Sequence, residues 1–258
     1  MIDIGVNLAS KRLRSRAAEL VSAAEGVGVH TQIITGSDEE SNQSALSLAH
    51  KFPRLYATAG FHPHHANEFQ PKHRLLIQSL ARDERCVAVG EMGLDYVRNY
   101  ATPANQRACF ESQLLIAKDV QKPVFLHERG AYDDFAPLLQ SALPELSGAV
   151  WHCFTGTRAQ MEEMADLGVY FGITGWLCDP ERGKDLRETV KHIPRDRLMI
   201  ETDAPYLSPK TLSPVPSVNE PKYLPEVLRV LSECLQTNPQ LLEAQLDENT
   251  YRFFNIQP

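Results

Sequence analysis

The chain has 258 residues, 43% of them hydrophobic, enough for one large core or two small ones. Its 26 Lys and Arg against 33 Asp and Glu give a formal net charge of −7. That excludes a broad basic face for gripping duplex DNA, so any nucleic-acid contact has to be local, at a pocket or through a bound cation. No run of about 18 apolar residues occurs, which excludes a membrane-spanning helix.

The five cysteines (Cys86, Cys109, Cys153, Cys178, Cys234) are odd in number, widely spaced and without a CxxC pair. This pattern points to reduced thiols in the cytoplasm, not to a disulfide framework or a zinc-thiolate site. Residues 2–8 lack a basic region and a long apolar region and read as a first strand rather than a signal peptide.

In chain order, the pattern predicts a helix over 15–25, a β-branched strand over 30–35, and a helix over 37–51 capped by Ser37 or Asp38. A strand over 55–60 runs into Phe61-His62-Pro63-His64-His65, and 71–82 is helical. Residues 87–90 form a short apolar strand that stops on Glu91, with Asp95 close behind. A helix over 103–120 opens on Pro103, an N1-like position. A strand over 123–126 ends in His127, a helix covers 132–142, and a strand over 148–151 ends in His152. A helix over 157–167, a strand over 169–173 and a helix over 183–192 follow. The strand over 197–200 ends in Glu201-Thr202-Asp203, a Pro- and Ser-rich loop covers 204–221, and helices over 222–236 and 239–254 finish the chain.

Strands thus begin about every 25 residues and alternate with helices. Eight such units in about 250 residues are the arithmetic of a (β/α)8 TIM-type barrel. The competing doubly wound sheet lacks its GxGxxG loop after strand one. No linker divides 1–258, so a single domain is expected.

In such a barrel the strand C-termini share one face. Asn7, His62, His64, Glu91, His127, His152 and Asp203 fall at those ends. An ionisable group at the tip of a buried strand needs compensation, by a salt bridge or a metal. Glu91, His127, His152 and Asp203 at four strand ends suit a divalent cation with mixed N/O ligands, Zn, Mn or Mg, in a site with open positions. Singly, each has a plain alternative. His127 or His152 can be a hydrogen-bonded core histidine, Asp203 a cap, and Glu91 a partner of Arg129. Arg129 can hold a phosphate or neutralise Glu91 or Glu128. Asp95 can bond a ligand histidine or cap its own loop. His64 and His65 are expected at the rim. His30, His50, His73 and His192 are expected in solvent. Trp151 is expected in the core, and Trp176 is open to stacking.

The segments Gly60-Phe61-His62-Pro63-His64, Gly90-Glu91-Met92-Gly93-Leu94-Asp95-Tyr96, Val124-Phe125-Leu126-His127, His152-Cys153-Phe154-Thr155-Gly156, Gly172-Ile173-Thr174-Gly175, Glu201-Thr202-Asp203-Ala204-Pro205-Tyr206 and Asn219-Glu220-Pro221 resemble the signatures of the TatD family of metal-dependent deoxyribonucleases. They stand in the family's order and cover almost the whole chain. The opening Asp3-Ile4-Gly5-Val6-Asn7-Leu8 points to the bacterial branch after which the family is named.

The resemblance implies a barrel of the amidohydrolase type and a divalent-metal-dependent nuclease. In that branch the activity is a 3′→5′ exonuclease on single-stranded DNA and RNA, with a part in repair of oxidative DNA damage. It implies Glu91, His127, His152 and Asp203 as metal ligands, with Mg as the first candidate and Asp203 also orienting the attacking water. Three departures stand out. Gly5 and Asn7 replace a His-x-His pair, which weakens one of two metal positions. Glu128 replaces a Cys beside the phosphate region, and Val218 replaces an Arg. His62 or His64 is expected to contact phosphate or protonate the leaving group, and Arg129 to bind phosphate. The protein is expected to be a monomer with no membrane contact. The alternative reading is a barrel hydrolase of a small amide, lactone or phosphoester. The bridging lysine common in its binuclear members is absent, because Glu91 holds that place.

Overall fold

The computed structural model describes residues 1–257. Strands and helices alternate along the chain: β1 (Ile2–Val6), α1 (Ala17–Glu25), β2 (Thr31–Ile34), α2 (Glu39–Lys51), β3 (Leu55–Ala59), α3 (Pro71–Leu80), β4 (Cys86–Asp95), α4 (Pro103–Val120), β5 (Val124–Arg129), α5 (Tyr132–Ala142), β6 (Ala149–Trp151), α6 (Arg158–Asp166), β7 (Tyr170–Ile173), α7 (Lys184–Thr189), β8 (Leu198–Ile200), α8 (Leu224–Cys234) and α9 (Pro239–Phe254). The strands form one eight-stranded sheet in the order β1 to β8, the topology of a (β/α)8 barrel.

Helix starts follow local chemistry. Asp38 caps α2, its carboxylate accepting from Ser41 N while the Ser41 hydroxyl accepts from Asp38 N. Thr102 caps α4, with Pro103 as its first residue. Thr157 and Gln160 form the same reciprocal box at α6. The helix expected over 15–25 begins instead with a 3-10 turn, Arg14–Arg16, before α1.

The chain divides into two compact units, one of Met1–Ile33 with Cys153–Pro258 and one of Ile34–His152. In the first, β1 and β8 run together: Asp203 N donates to Gly5 O and Asn7 N to Ala204 O, both at 2.8 Å. Phe154 packs edge-on against Phe171, with ring centroids 5.1 Å apart.

In the second unit, β3 to β6 are parallel neighbours. The core between them and the helices includes Phe110, stacked on Phe135 at 5.5 Å, and fully buried Trp151. The strand expected over 87–90 is much longer. It continues through Glu91 to Asp95, because Met92 and Leu94 are also fully buried and keep the chain on the sheet. β5 likewise runs past Leu126 through His127 to Arg129.

Candidate metal centre

The pairing register brings the site residues to one level. Met92, Leu126 and Trp151 stand side by side across β4, β5 and β6. The next step along each strand is Gly93 opposite His127, with His152 just beyond β6, its N–H donating to Leu126 O at 2.9 Å. Glu91 lies in the irregularity of β4 between Val89 and Met92. Its backbone N–H donates to Gly36 O.

Three imidazoles meet one carboxylate oxygen. Glu91 Oε1 is 3.0 Å from His152 Nε2, 3.1 Å from His127 Nδ1 and 3.3 Å from His62 Nε2. The ligand atoms of His62, Glu91 and His127 all lie within 4.8 Å of one another, close enough for one cation to hold. Burial pushes the Glu91 carboxyl up, but His62, His152 and His127 outweigh it and hold the group well below the usual carboxylate range. The carboxylate is therefore ionised with imidazole nitrogens converging on it, and the N/O set fits a divalent cation.

The histidines differ in their second nitrogen. His127 Nε2 is 3.4 Å from Asp95 Oδ2, although without hydrogen-bond geometry. Burial lowers the affinity of His127 for a proton, yet the carboxylates of Asp95 and Glu91 win and raise it. His62 Nδ1 accepts the His64 backbone N–H at 3.0 Å, which puts the ring proton on Nε2, facing Glu91. Burial, against the pull of Glu91, lowers His62 to about 4.

Asp95 caps its own loop, and the histidine it bonds is His64. Oδ2 holds His64 Nε2 at 2.7 Å. Oδ1 accepts from Val97 N and Arg98 N and shapes the loop that follows. Burial opposes its charge, but His127, His64 and Arg98 N overcome that and hold it far below the usual range.

Glu91 is engaged by three imidazoles, which the sequence alternatives did not include. His64 is a quarter exposed and tied to the cluster through Asp95, so it belongs to the site's wall. Glu128 turns its carboxylate to Ala131 N at 2.7 Å, and its burial raises its pKa. Arg129 ends β5 opposite Asp95, its carbonyl accepting from Tyr96 N.

In the other unit, Asp203 has a left-handed backbone (φ 53°) and its Oδ1 accepts from Asn7 Nδ2 at 3.0 Å. Asn7, expected as a weak ligand, is thus a hydrogen-bond donor to Asp203. Glu201 Oε1 accepts from Cys153 N at 2.6 Å.

His73 corrects an expectation. It is buried, stacked on Phe61 at 4.5 Å, with Nδ1 accepting from Gln70 N and Nε2 against Glu39. The polar stretch around it hid its position on the inner face of α3. Trp151 is fully buried, as expected of a core residue, and Trp176 lies under the Arg182 guanidinium at 4.5 Å. All five cysteines are free thiols. No described helix is long and apolar enough to cross a membrane.

The parallel eight-stranded sheet and the His–carboxylate cluster at its strand ends define a barrel of the hydrolase type. The chain belongs to the TatD related DNase family, whose model matches residues 2–255. It is 45% identical over 99% of its length to the 3′-5′ ssDNA/RNA exonuclease TatD of Klebsiella pneumoniae, covering 98% of that protein. It is 43% identical to the protein of the same name from Escherichia coli K12, covering 99% of each. Among solved structures, a TatD homolog of Escherichia coli K12 superposes with a TM-score of 0.92 at 28% identity, covering all of this chain and 98% of that one.

Proposed function

We propose that the chain is a divalent-metal-dependent nuclease that removes nucleotides from the 3′ end of single-stranded DNA and RNA. The observation that carries this reading is the convergence of three imidazoles on Glu91 Oε1 in a chain that matches the DNase family over its length. The named activity of its relatives supports the direction and the substrate.

Glu91, His127 through Nδ1 and His152 through Nε2 would hold the cation, with Asp203 completing the set. When bound, the cation supplies Lewis acidity and charge neutralisation for phosphodiester hydrolysis. Mg is the first candidate, and Mn and Zn also suit the N/O donors.

The remaining roles belong to the chain's own groups. Asp95 Oδ2 stands 3.4 Å behind His127 Nε2 and faces it with a negative charge. Asp203, steadied by Asn7, orients the attacking water. His62, whose Nε2 stands 3.3 Å from Glu91 Oε1, is assigned to contact phosphate or to protonate the leaving group. His64 and Arg129 are assigned to phosphate oxygens. The protein is read as a single-domain monomer acting in the cytoplasm, with trimming of oxidatively damaged DNA ends as its setting.

The test uses 3′- and 5′-labelled single-stranded DNA and RNA, with p-nitrophenyl esters alongside, in chelator and with Mg, Mn, Zn or Co added back. Metal-dependent stepwise loss from the 3′ end is expected. Glu91→Ala and Asp203→Ala should lower turnover by orders of magnitude while unfolding stays cooperative. Near-full activity in either variant would overturn the ligand assignment, and ester hydrolysis without oligonucleotide cleavage would overturn the substrate.

A further inference from the structure

The loop after β4 carries a feature that the metal cluster does not account for. Val97 and Tyr100 are large apolar side chains left 61% and 63% exposed. Exposed apolar side chains on a mobile loop need no explanation, but this loop is tied at both ends. Fully buried Gln106 receives Asp95 N on its Oε1 and donates from Nε2 to both Asp95 O and Ala101 O. Asp95 Oδ1 fixes Val97 N and Arg98 N. Asn67 bonds Tyr100 O and Thr102 N from the opposite side. Asn99 adopts a left-handed backbone (φ 52°) that turns the chain outward just before Tyr100.

The ring so presented stands beside the cluster. Tyr100 meets His64 edge to face, with centroids 4.8 Å apart, and His64 in turn meets His62 at 4.1 Å. The same Asp95 that holds His64 through one oxygen shapes the Tyr100 loop through the other. The loop is therefore mechanically coupled to the site wall.

We propose that Tyr100 is a stacking platform for a nucleobase flanking the scissile phosphate. The inference rests on the nuclease reading above and adds a base-binding subsite to it. An aromatic face is the group that holds a base of any sequence, because every base has a π-face. A chain with net charge −7 gains little from long-range attraction of the strand, so contact with bases has to supply part of the grip. The platform's position beside His64 places the base next to the phosphate that the cluster engages.

The test pairs an enzyme change with a substrate change. Wild type, Tyr100→Ala and Tyr100→Trp are assayed for kcat/KM, with Mg or Mn, on three short single-stranded DNAs. One is intact, one carries an abasic site at the 3′-terminal nucleotide, and one carries it at the penultimate position. Binding of the same strands is followed by fluorescence anisotropy in chelator, so that a readout without turnover exists. In wild type, one of the two abasic positions should cost roughly 5- to 150-fold. In Tyr100→Ala that penalty should vanish, and in Tyr100→Trp it should persist. The melting temperature should stay at the wild-type value in both variants, since the ring is exposed. An equal abasic penalty in wild type and Tyr100→Ala, at both positions and in both readouts, would overturn the platform. Wild type that cleaves none of the three strands would overturn the nuclease reading itself, and the platform with it.

Discussion

Asp95 is the residue on which the site's geometry turns. One oxygen faces His64 and His127, and the other holds the Tyr100 loop. Replacing it with Asn keeps the volume but substitutes an N–H2 for one acceptor, so one imidazole loses its carboxylate partner. Partners of this kind are worth about 10- to 100-fold in metal affinity or activity. Asp95→Asn should therefore weaken Mn binding and lower kcat by that order, measured by calorimetric titration and a single-turnover assay. An Asn variant with wild-type Mn affinity would show that Asp95 serves the loop alone. A second acid tests the fold rather than the site. Asp3 is fully buried, and burial raises its carboxyl to about 7 against the hydrogen bonds from Thr202 and Gly5. The folded form therefore holds a proton that the unfolded chain gives up near its ordinary pKa, so this group's stability is full below about pH 4 and is lost as pH rises through about 7. Wild type should lose on the order of a few kcal/mol relative to Asp3→Asn over that window, read from urea unfolding at a series of pH values. A difference between the two that stays flat with pH would refute the shift.

At the scale of elements, β4 shows what a sequence conveys and what it withholds. The starts of α4 and α9 follow from a capping side chain and a proline at the first turn, α5 from apolar spacing, and the structure places the three at 103–120, 239–254 and 132–142. The true length of β4 was hidden, because reading an acid as a stop ignores a bulge that turns Glu91 aside and lets the strand resume. Gly90 and Gly93 make that possible, at φ 142° and 144°. A Cβ at Gly93 would strike the carbonyl oxygen of His127, and one at Gly90 the carbonyl of Phe125. Both glycines were visible as part of a motif, but their contact with β5 depends on strand register, which no local pattern encodes. Gly93→Ala should cost at least about 1–3 kcal/mol through backbone strain and the clash, and should displace His127. A lower melting temperature together with weaker Mn binding is the expected pair. A variant that melts lower but binds Mn as wild type would separate the bulge's structural role from the site.

For the whole molecule, alternation and strand count were legible as eight βα units, since each rests on local periodicity. The residue types of the cluster were legible as well. Its assignments were not: that His62 faces Glu91 depends on the turn at Pro63 and on the tautomer set by His64 N, and that Glu128 turns to Ala131 depends on the loop after β5. Net charge belongs to this scale too. With −7 overall, few cations are available to displace counterions from a strand, and those near the cluster are Arg129 at the end of β5 and Arg98 on the loop after β4. For a single strand, log K falls with log salt at about 0.7 per neutralised phosphate, so two or three contacts give a slope of roughly −1.5 to −2. Anisotropy titrations of single-stranded DNA across a range of KCl should give that value. Arg129→Gln should make it shallower by about 0.7, while the stacking contribution of Tyr100, which releases no counterion, leaves the slope unchanged in Tyr100→Ala. A slope near −5 would mean that the strand follows an extended basic track, and the local, end-directed grip inferred from charge and site would then be wrong.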